Sequence, residues 1–175
     1  ALLARIEYFG AHGCLCADHG LDACMFEEPD EGAADAAFAL AMKGERPTKA
    51  QADAYKTLLT VACAKKYAEL GWVMQIHFGC LRDNNKPQFA RLGPDTGYDA
   101  VNSRSGVENV APLLNAFAEN GGLPKVILYS LNPGDNTALV TIAGCFQGGG
   151  LAGRVQQGSG WWFNDNRSGM RSQLT

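Results

Sequence analysis

Four short apolar segments alternate along the chain with segments of helical pattern, and this alternation constrains the fold most. The apolar segments lie at residues 15–19, 72–78, 125–131 and 154–157, and the helical patterns at 1–11, 31–43, 48–70, 107–119 and 132–146. Strands that alternate with helices are typical of a parallel sheet covered by helices. The sequence therefore predicts an α/β fold of order α-β-α-α-β-α-β-α-β, with about four parallel strands.

Polar residues stand at or just beyond the carboxyl end of each predicted strand. They are Asp18 and His19, then His77, then Asn132, and finally Asn164 with Asp165. In parallel α/β sheets, ligands bind at this edge. The recurrence predicts that these residues share a site.

His77 ends a strand whose two faces differ in polarity. A period of two places Val73, Gln75 and His77 on one face, and Met74, Ile76 and Phe78 on the other. A strand histidine is ordinarily a hydrogen-bonded core residue, and Asp18 with His19 is equally compatible with a capping turn. The polar surroundings favour the alternative, in which all three are catalytic acid–base groups and His77 is also a candidate metal ligand.

Candidate binding residues lie beyond the strands. Arg82 begins a long polar loop over residues 82–106, either as a solvated surface cation or as a fork that grips a carboxylate in two places. Trp161 and Trp162 either cover the end of the core or form a platform for a sugar ring. In the second case Asn164, Asp165 and Arg167 supply hydrogen bonds to the sugar.

Charge and cysteine usage exclude several classes of protein. A net charge of -3 argues against nucleic-acid or anionic-membrane binding. No stretch reaches the roughly 18 apolar residues of a membrane span, and no phosphate-binding Gly-rich loop or nucleophile elbow is present. The six cysteines allow three disulfides, but they lack a Cys-x-x-Cys pair, and Cys63 lies on an apolar helix stripe. We therefore expect reduced thiols and a cytoplasmic protein.

Longer motifs carry a family resemblance. They lie at residues 5–9, 12–14 and 17–20, MQIHFG at 74–79, LRDNN at 81–85, LGPDTGYD at 92–99, LPKVILY at 123–129, LNP at 131–133 and VQQGSGWWFND at 155–165. In these stretches the sequence closely resembles the uronate isomerases (glucuronate isomerases) of the amidohydrolase superfamily. A metal-dependent hydrolase of the same superfamily is a weaker match, because these segments are typical of the isomerases.

The resemblance implies a (β/α)8 TIM barrel and an aldose–ketose isomerase. Members of the family interconvert D-glucuronate and D-fructuronate, and D-galacturonate and D-tagaturonate, through a cis-enediol. The resemblance also implies that Arg82 binds the hexuronate carboxylate, and that His77 lies near a divalent metal, with zinc as the first candidate.

The length of 175 residues is too short for a complete barrel, which needs roughly 250. The family's first-strand His-x-His pair and last-strand Asp are also missing. We therefore expect residues 1–175 to be one partial TIM-barrel domain, a central-to-late piece cut within helices at both ends. The alternative is an inactive half-barrel that binds a sugar acid or only self-associates. Because a half-barrel leaves strand edges unpaired, we expect a homo-oligomer.

Overall fold

The computed structural model describes residues 1–174 and confirms the alternation of helices and strands. The helices are α1 (Leu2–Ala11), α2 (Glu31–Met42), α3 (Lys49–Leu70), α4 (Lys86–Leu92), α5 (Val110–Glu119), α6 (Asn136–Cys145) and α7 (Arg167–Leu174). The strands are β1 (Cys16–Gly20), β2 (Val73–Phe78), β3 (Cys80–Leu81), β4 (Ala100–Val101), β5 (Lys125–Ser130) and β6 (Val155–Gln157). Four strands form one parallel sheet, as the sequence predicts, and their order in the sheet is β1-β2-β5-β6.

The helix ends follow local signals in the sequence. Thr48 caps α3 through a capping box with Gln51, and Gly71 ends the helix with a left-handed φ of 69°. Asp30 caps α2 by accepting the Ala33 N–H. These caps explain why the predicted and observed ends of both helices agree to within a residue.

Only one face of β2 is fully buried, in agreement with the difference in polarity predicted for its two faces. Met74, Ile76 and Phe78 are at most 1% exposed, whereas Val73, Gln75 and His77 are half-buried. β5 alternates in the same way. Gln75 and His77 therefore line a partly open surface of the sheet.

The contacts divide the chain into two compact units. The first comprises residues 1–17, 25–74 and 108–126, in which α3 packs against α1, α2 and α5 around a buried apolar core. The second comprises residues 18–24, 75–107 and 127 onward, in which α6 packs on β6 and buries Leu139. All candidate site residues belong to the second unit.

The predicted polar loop over 82–106 is partly regular. It contains α4, whose cap is the Asn85 side chain, and an antiparallel pair that joins β3 to β4 with Cys80 opposite Val101. Short elements of this kind carry too little periodicity to be seen in sequence. No helix in the described part of the chain is long and apolar enough to cross a membrane.

Candidate functional site

The ends of β1 and β2 bring Asp18 and His77 together. The two strands are neighbours in the sheet, and His77 Nδ1 lies 2.6 Å from Asp18 Oδ1. The His77 side chain is 15% exposed and the Asp18 side chain 58%. Because the carboxylate fixes one ring nitrogen, the imidazole is oriented and its Nε2 has no hydrogen bond within residues 1–174.

Two aromatic rings hold the imidazole in place. The Tyr129 ring stacks on His77 at a centroid distance of 4.1 Å and an angle of 8°, and Trp161 meets it edge-on at 4.5 Å. The Tyr129 hydroxyl donates to Gln75 Oε1 at 2.9 Å. Burial raises the pKa of Tyr129, and the Asp18 charge adds to the effect, so the hydroxyl stays protonated at neutral pH.

A cavity of about 220 Å³ opens beside this histidine. It is lined by Asp18, Gly20, Leu21, Asp22, His77, Cys80, Arg82 and Trp161. The cavity is smaller than the usual drug-sized pocket and is lined by charged groups of both signs, which suits a small polar metabolite. A wider depression of about 610 Å³, near Asn84 and Tyr98, contains none of the residues at the strand ends.

Arg82 lines this cavity, and within the described residues only one nitrogen of its guanidinium is paired with carboxylates. Its Nη1 lies 3.3 Å from both Asp95 Oδ1 and Asp99 Oδ2, and its guanidinium lies 5.4 Å from the centre of the Trp162 ring. Its Nε and Nη2 donate no hydrogen bond within residues 1–174, which leaves two adjacent donors. Two such donors match the two oxygens of a carboxylate.

His19 does not join this group. Successive strand residues point to opposite faces, so His19 lies on the other side of β1 from Asp18. Burial lowers the pKa of His19, and the neighbouring Asp18 charge opposes the shift only in part. His19 therefore holds its proton less readily than an exposed histidine.

The residues after β6 have different positions. The Asn164 side chain is buried and donates from Nδ2 to the Leu131 carbonyl at 2.9 Å, so its amide ties two loops together. Asp165 and Arg167 are exposed, and neither is among the described residues that line the cavity. Of the residues predicted in this segment, Trp161 reaches the cavity directly and Trp162 reaches it through Arg82.

Sequence reasoning missed several residues of the site, and only one of them carries a local signal. Tyr129 stands on the same face of β5 as Ile127, and its period-two position could have indicated it. Asp22 and Cys80 line the cavity, and Asp99 holds Arg82 from 17 positions away in the sequence. Only the folded chain shows that these residues are neighbours.

A metal ion needs more ligands than residues 1–174 bring together. Metal sites in proteins use three or four ligands, and residues 1–174 contain no group of three His, Cys, Asp or Glu side chains placed to hold one. The cavity lining includes His77, Asp18, Asp22 and Cys80, but no three of these side chains are placed to hold one ion together. The described residues therefore do not form a complete metal site by themselves.

Comparison with known proteins identifies relatives along the whole chain. The glucuronate isomerase family model, UxaC, matches residues 1–175. Uronate isomerases from Serratia proteamaculans (strain 568) and Edwardsiella ictaluri (strain 93-146) are 46% and 45% identical over 175 residues, which are 100% of this chain and 37% of each relative. The chain thus spans little more than one third of the length of these relatives.

Two solved structures share the fold. The uronate isomerase from Thermotoga maritima aligns with a TM-score of 0.86 and 34% identity, over 99% of this chain and 37% of that one. The glucuronate isomerase from Caulobacter crescentus aligns with a TM-score of 0.81 and 26% identity, over 98% of this chain and 34% of that one. These matches confirm the predicted fold, part of a TIM barrel. With the family model matched from the first residue to the last, the chain belongs to the glucuronate isomerase family.

Proposed function

We propose that the complete protein carrying this chain is an aldose–ketose isomerase of hexuronates. It would interconvert D-glucuronate with D-fructuronate, and D-galacturonate with D-tagaturonate. The observation that carries the proposal is the family match over residues 1–175. The cavity supports it, because a carboxylate-binding cation and an oriented histidine line the same small space.

The reaction moves hydrogen between two carbons. A base takes the proton from C2 of the aldose, the O2 hydroxyl proton passes to O1, and a proton is delivered to C1 to give the ketose. We assign the transfer of the carbon-bound proton to His77 Nε2. Asp18 Oδ1 lies 2.6 Å from His77 Nδ1, so it orients the ring and stabilises the imidazolium that forms.

Substrate binding in this proposal depends on charge and on an aromatic wall. The Nε and Nη2 edge of Arg82 binds the hexuronate carboxylate as a bidentate pair. Trp161, which lines the cavity and contacts His77, packs against the sugar. Arg82 is therefore the residue that we expect to discriminate uronates from neutral sugars.

A divalent metal is a separate proposal. His77 would then use Nε2 as one ligand instead of as the base, with zinc as the first candidate, and the remaining ligands would come from residues outside this chain. The zinc content of the purified complete protein and of His77→Ala tests this proposal. Equal zinc content in both proteins would remove His77 from the metal site.

Location and assembly are also proposed. The thiols of Cys24, Cys63 and Cys80 are buried as apolar side chains, which suits a reducing cytoplasm. A homo-oligomer is proposed for the 175-residue chain on its own, because β1 and β6 form the edges of its sheet and need cover. A monomer by light scattering of this isolated chain would contradict the second proposal.

The test of function is direct conversion of substrate. The complete protein is incubated with D-glucuronate, with D-galacturonate and with D-glucose as a neutral control, and products are followed by ¹H NMR. We expect the two uronates to give their ketoses and D-glucose to remain unchanged. No conversion of either uronate, with or without added zinc, would refute the proposed function.

A further inference from the structure

The backbone around Arg82 is unusual. Within residues 1–174, three non-glycine residues have a left-handed φ: Asp83 at 53°, Asp95 at 58° and Trp162 at 50°. Each adjoins Arg82, the first by sequence, the second by an ion pair and the third by ring contact. Such conformations persist only where the surroundings hold them, so the chain is built closely around this one guanidinium.

The two aspartates at Arg82 Nη1 are equally distant but differ in burial. The Asp99 side chain is 5% exposed, whereas that of Asp95 is 80% exposed. Asp99 also accepts the Asp83 N–H with Oδ1 at 2.9 Å, while its Oδ2 faces Arg82. Asp99 is therefore fixed at both oxygens, and Asp95 is a solvated partner of small energetic weight.

The segment that carries Asp99 is itself tied to the Arg82 loop. The Tyr98 carbonyl accepts both the backbone N–H of Asn84 at 2.8 Å and its side-chain Nδ2 at 3.1 Å. Residues on either side of Arg82 and Asp99 are thus bonded directly to each other. A substitution that removes the charge of Asp99 therefore leaves the hydrogen bonds between Asn84 and Tyr98 in place.

We propose that Asp99 is a positioning residue that aims Arg82 at the substrate carboxylate. By holding Nη1 on one side, with Trp162 against the guanidinium plane, it leaves the Nε and Nη2 edge for the ligand. The inference rests on the proposed function. The inference gives different roles to two carboxylates at the same distance from Arg82. Asp99 fixes the arginine, whereas Asp95 only adds negative charge near the substrate.

The test compares Asp99→Asn with its matched control Asp95→Asn in the complete protein. The asparagine at 99 can still accept the Asp83 N–H, so the loop is preserved while the charged partner of Arg82 is lost. We expect KM for D-glucuronate to rise about fivefold in Asp99→Asn, as for loss of one charged hydrogen bond at a half-exposed site, with kcat within about twofold. Asp95→Asn should leave KM unchanged or lower it.

A second arm shows whether Asp99 acts through Arg82. In an Arg82→Ala background, Asp99→Asn should change KM by less than about twofold, because the group it positions is gone. An unchanged or lowered KM in Asp99→Asn alone would overturn the assignment. An equal rise in KM on Asp99→Asn in the wild-type and Arg82→Ala backgrounds would also overturn it.

A readout without turnover keeps this inference separate from the proposed function. In ¹⁵N-labelled protein, the Arg82 Nε–H signal, assigned with Arg82→Lys, should broaden in Asp99→Asn and stay sharp in Asp95→Asn. If the wild type converts no uronate, the proposed function fails and this signal alone decides the role of Asp99. Identical signals in the two variants would refute the positioning role.

Discussion

Gly158 lies so close to Tyr129 that a single methyl group there should disturb the histidine. A Cβ at position 158 would fall 2.1 Å from Tyr129 Cε1, 2.3 Å from Cδ1 and 2.5 Å from Cζ. The shortest of these is 1.3 Å less than the 3.4 Å at which ordinary contact begins. The Tyr129 ring must move by about that distance, because the three clashing atoms all belong to the rigid plane of the ring.

The energetic cost follows from what the ring holds. Overpacking of this kind costs about 1–3 kcal/mol. Displacement also weakens the hydroxyl bond to Gln75, worth about 1 kcal/mol, and the stack on His77. We expect Gly158→Ala to lower the free energy of unfolding by about 2–3 kcal/mol. We also expect kcat for D-glucuronate to fall at least about tenfold, because His77 loses its support.

The assay is urea unfolding of the complete protein, with midpoints compared at constant slope. Gly144→Ala is the control, since Gly144 lies within α6 and a Cβ there meets nothing within 4 Å. That change should stabilise the protein by about 0.5–1 kcal/mol. In a Tyr129→Ala background, Gly158→Ala should cost less than about 0.5 kcal/mol. A wild-type midpoint for Gly158→Ala, or the same cost in both backgrounds, would refute the clash.

Three further predictions concern activity and pH. Arg82→Ala should raise KM for D-glucuronate about tenfold or more, and His77→Ala should lower kcat about a hundredfold or more, in steady-state kinetics; unchanged constants would remove either residue from the site. Because burial lowers the pKa of His19 in the fold, the unfolded chain takes up this proton first as pH falls below about 6.5, and stability decreases from there. His19→Gln should therefore lose less stability than the wild type between about pH 7 and 5, by urea unfolding at each pH; identical losses would show that His19 does not contribute.

Much of the scaffold could be predicted from sequence because its signals are local. Thr48 and Gly71 delimit α3 with capping chemistry, and the alternation in β2 separates His77 from the buried Phe78. The same alternation explains why Asp18, rather than the adjacent His19, reaches His77 across neighbouring strands. Local periodicity is therefore enough to predict on which face of the sheet each strand residue at this edge lies.

The rest depends on distant contacts that no local pattern records. The sequence does not show that the buried Asn164 amide donates to the Leu131 carbonyl, which lies 33 positions away. Asp99 meets Arg82 only because β3 and β4 pair. The positions of such loop residues depend on the pairing of the strands next to them and not on their own secondary-structure propensity.

A crystal structure of the complete protein with D-glucuronate bound tests the central claim most directly. The account predicts the carboxylate on the Nε and Nη2 edge of Arg82, with His77 Nε2 facing C1 and C2 of the sugar. A hexuronate bound elsewhere, with Arg82 still paired only to Asp95 and Asp99, would contradict it.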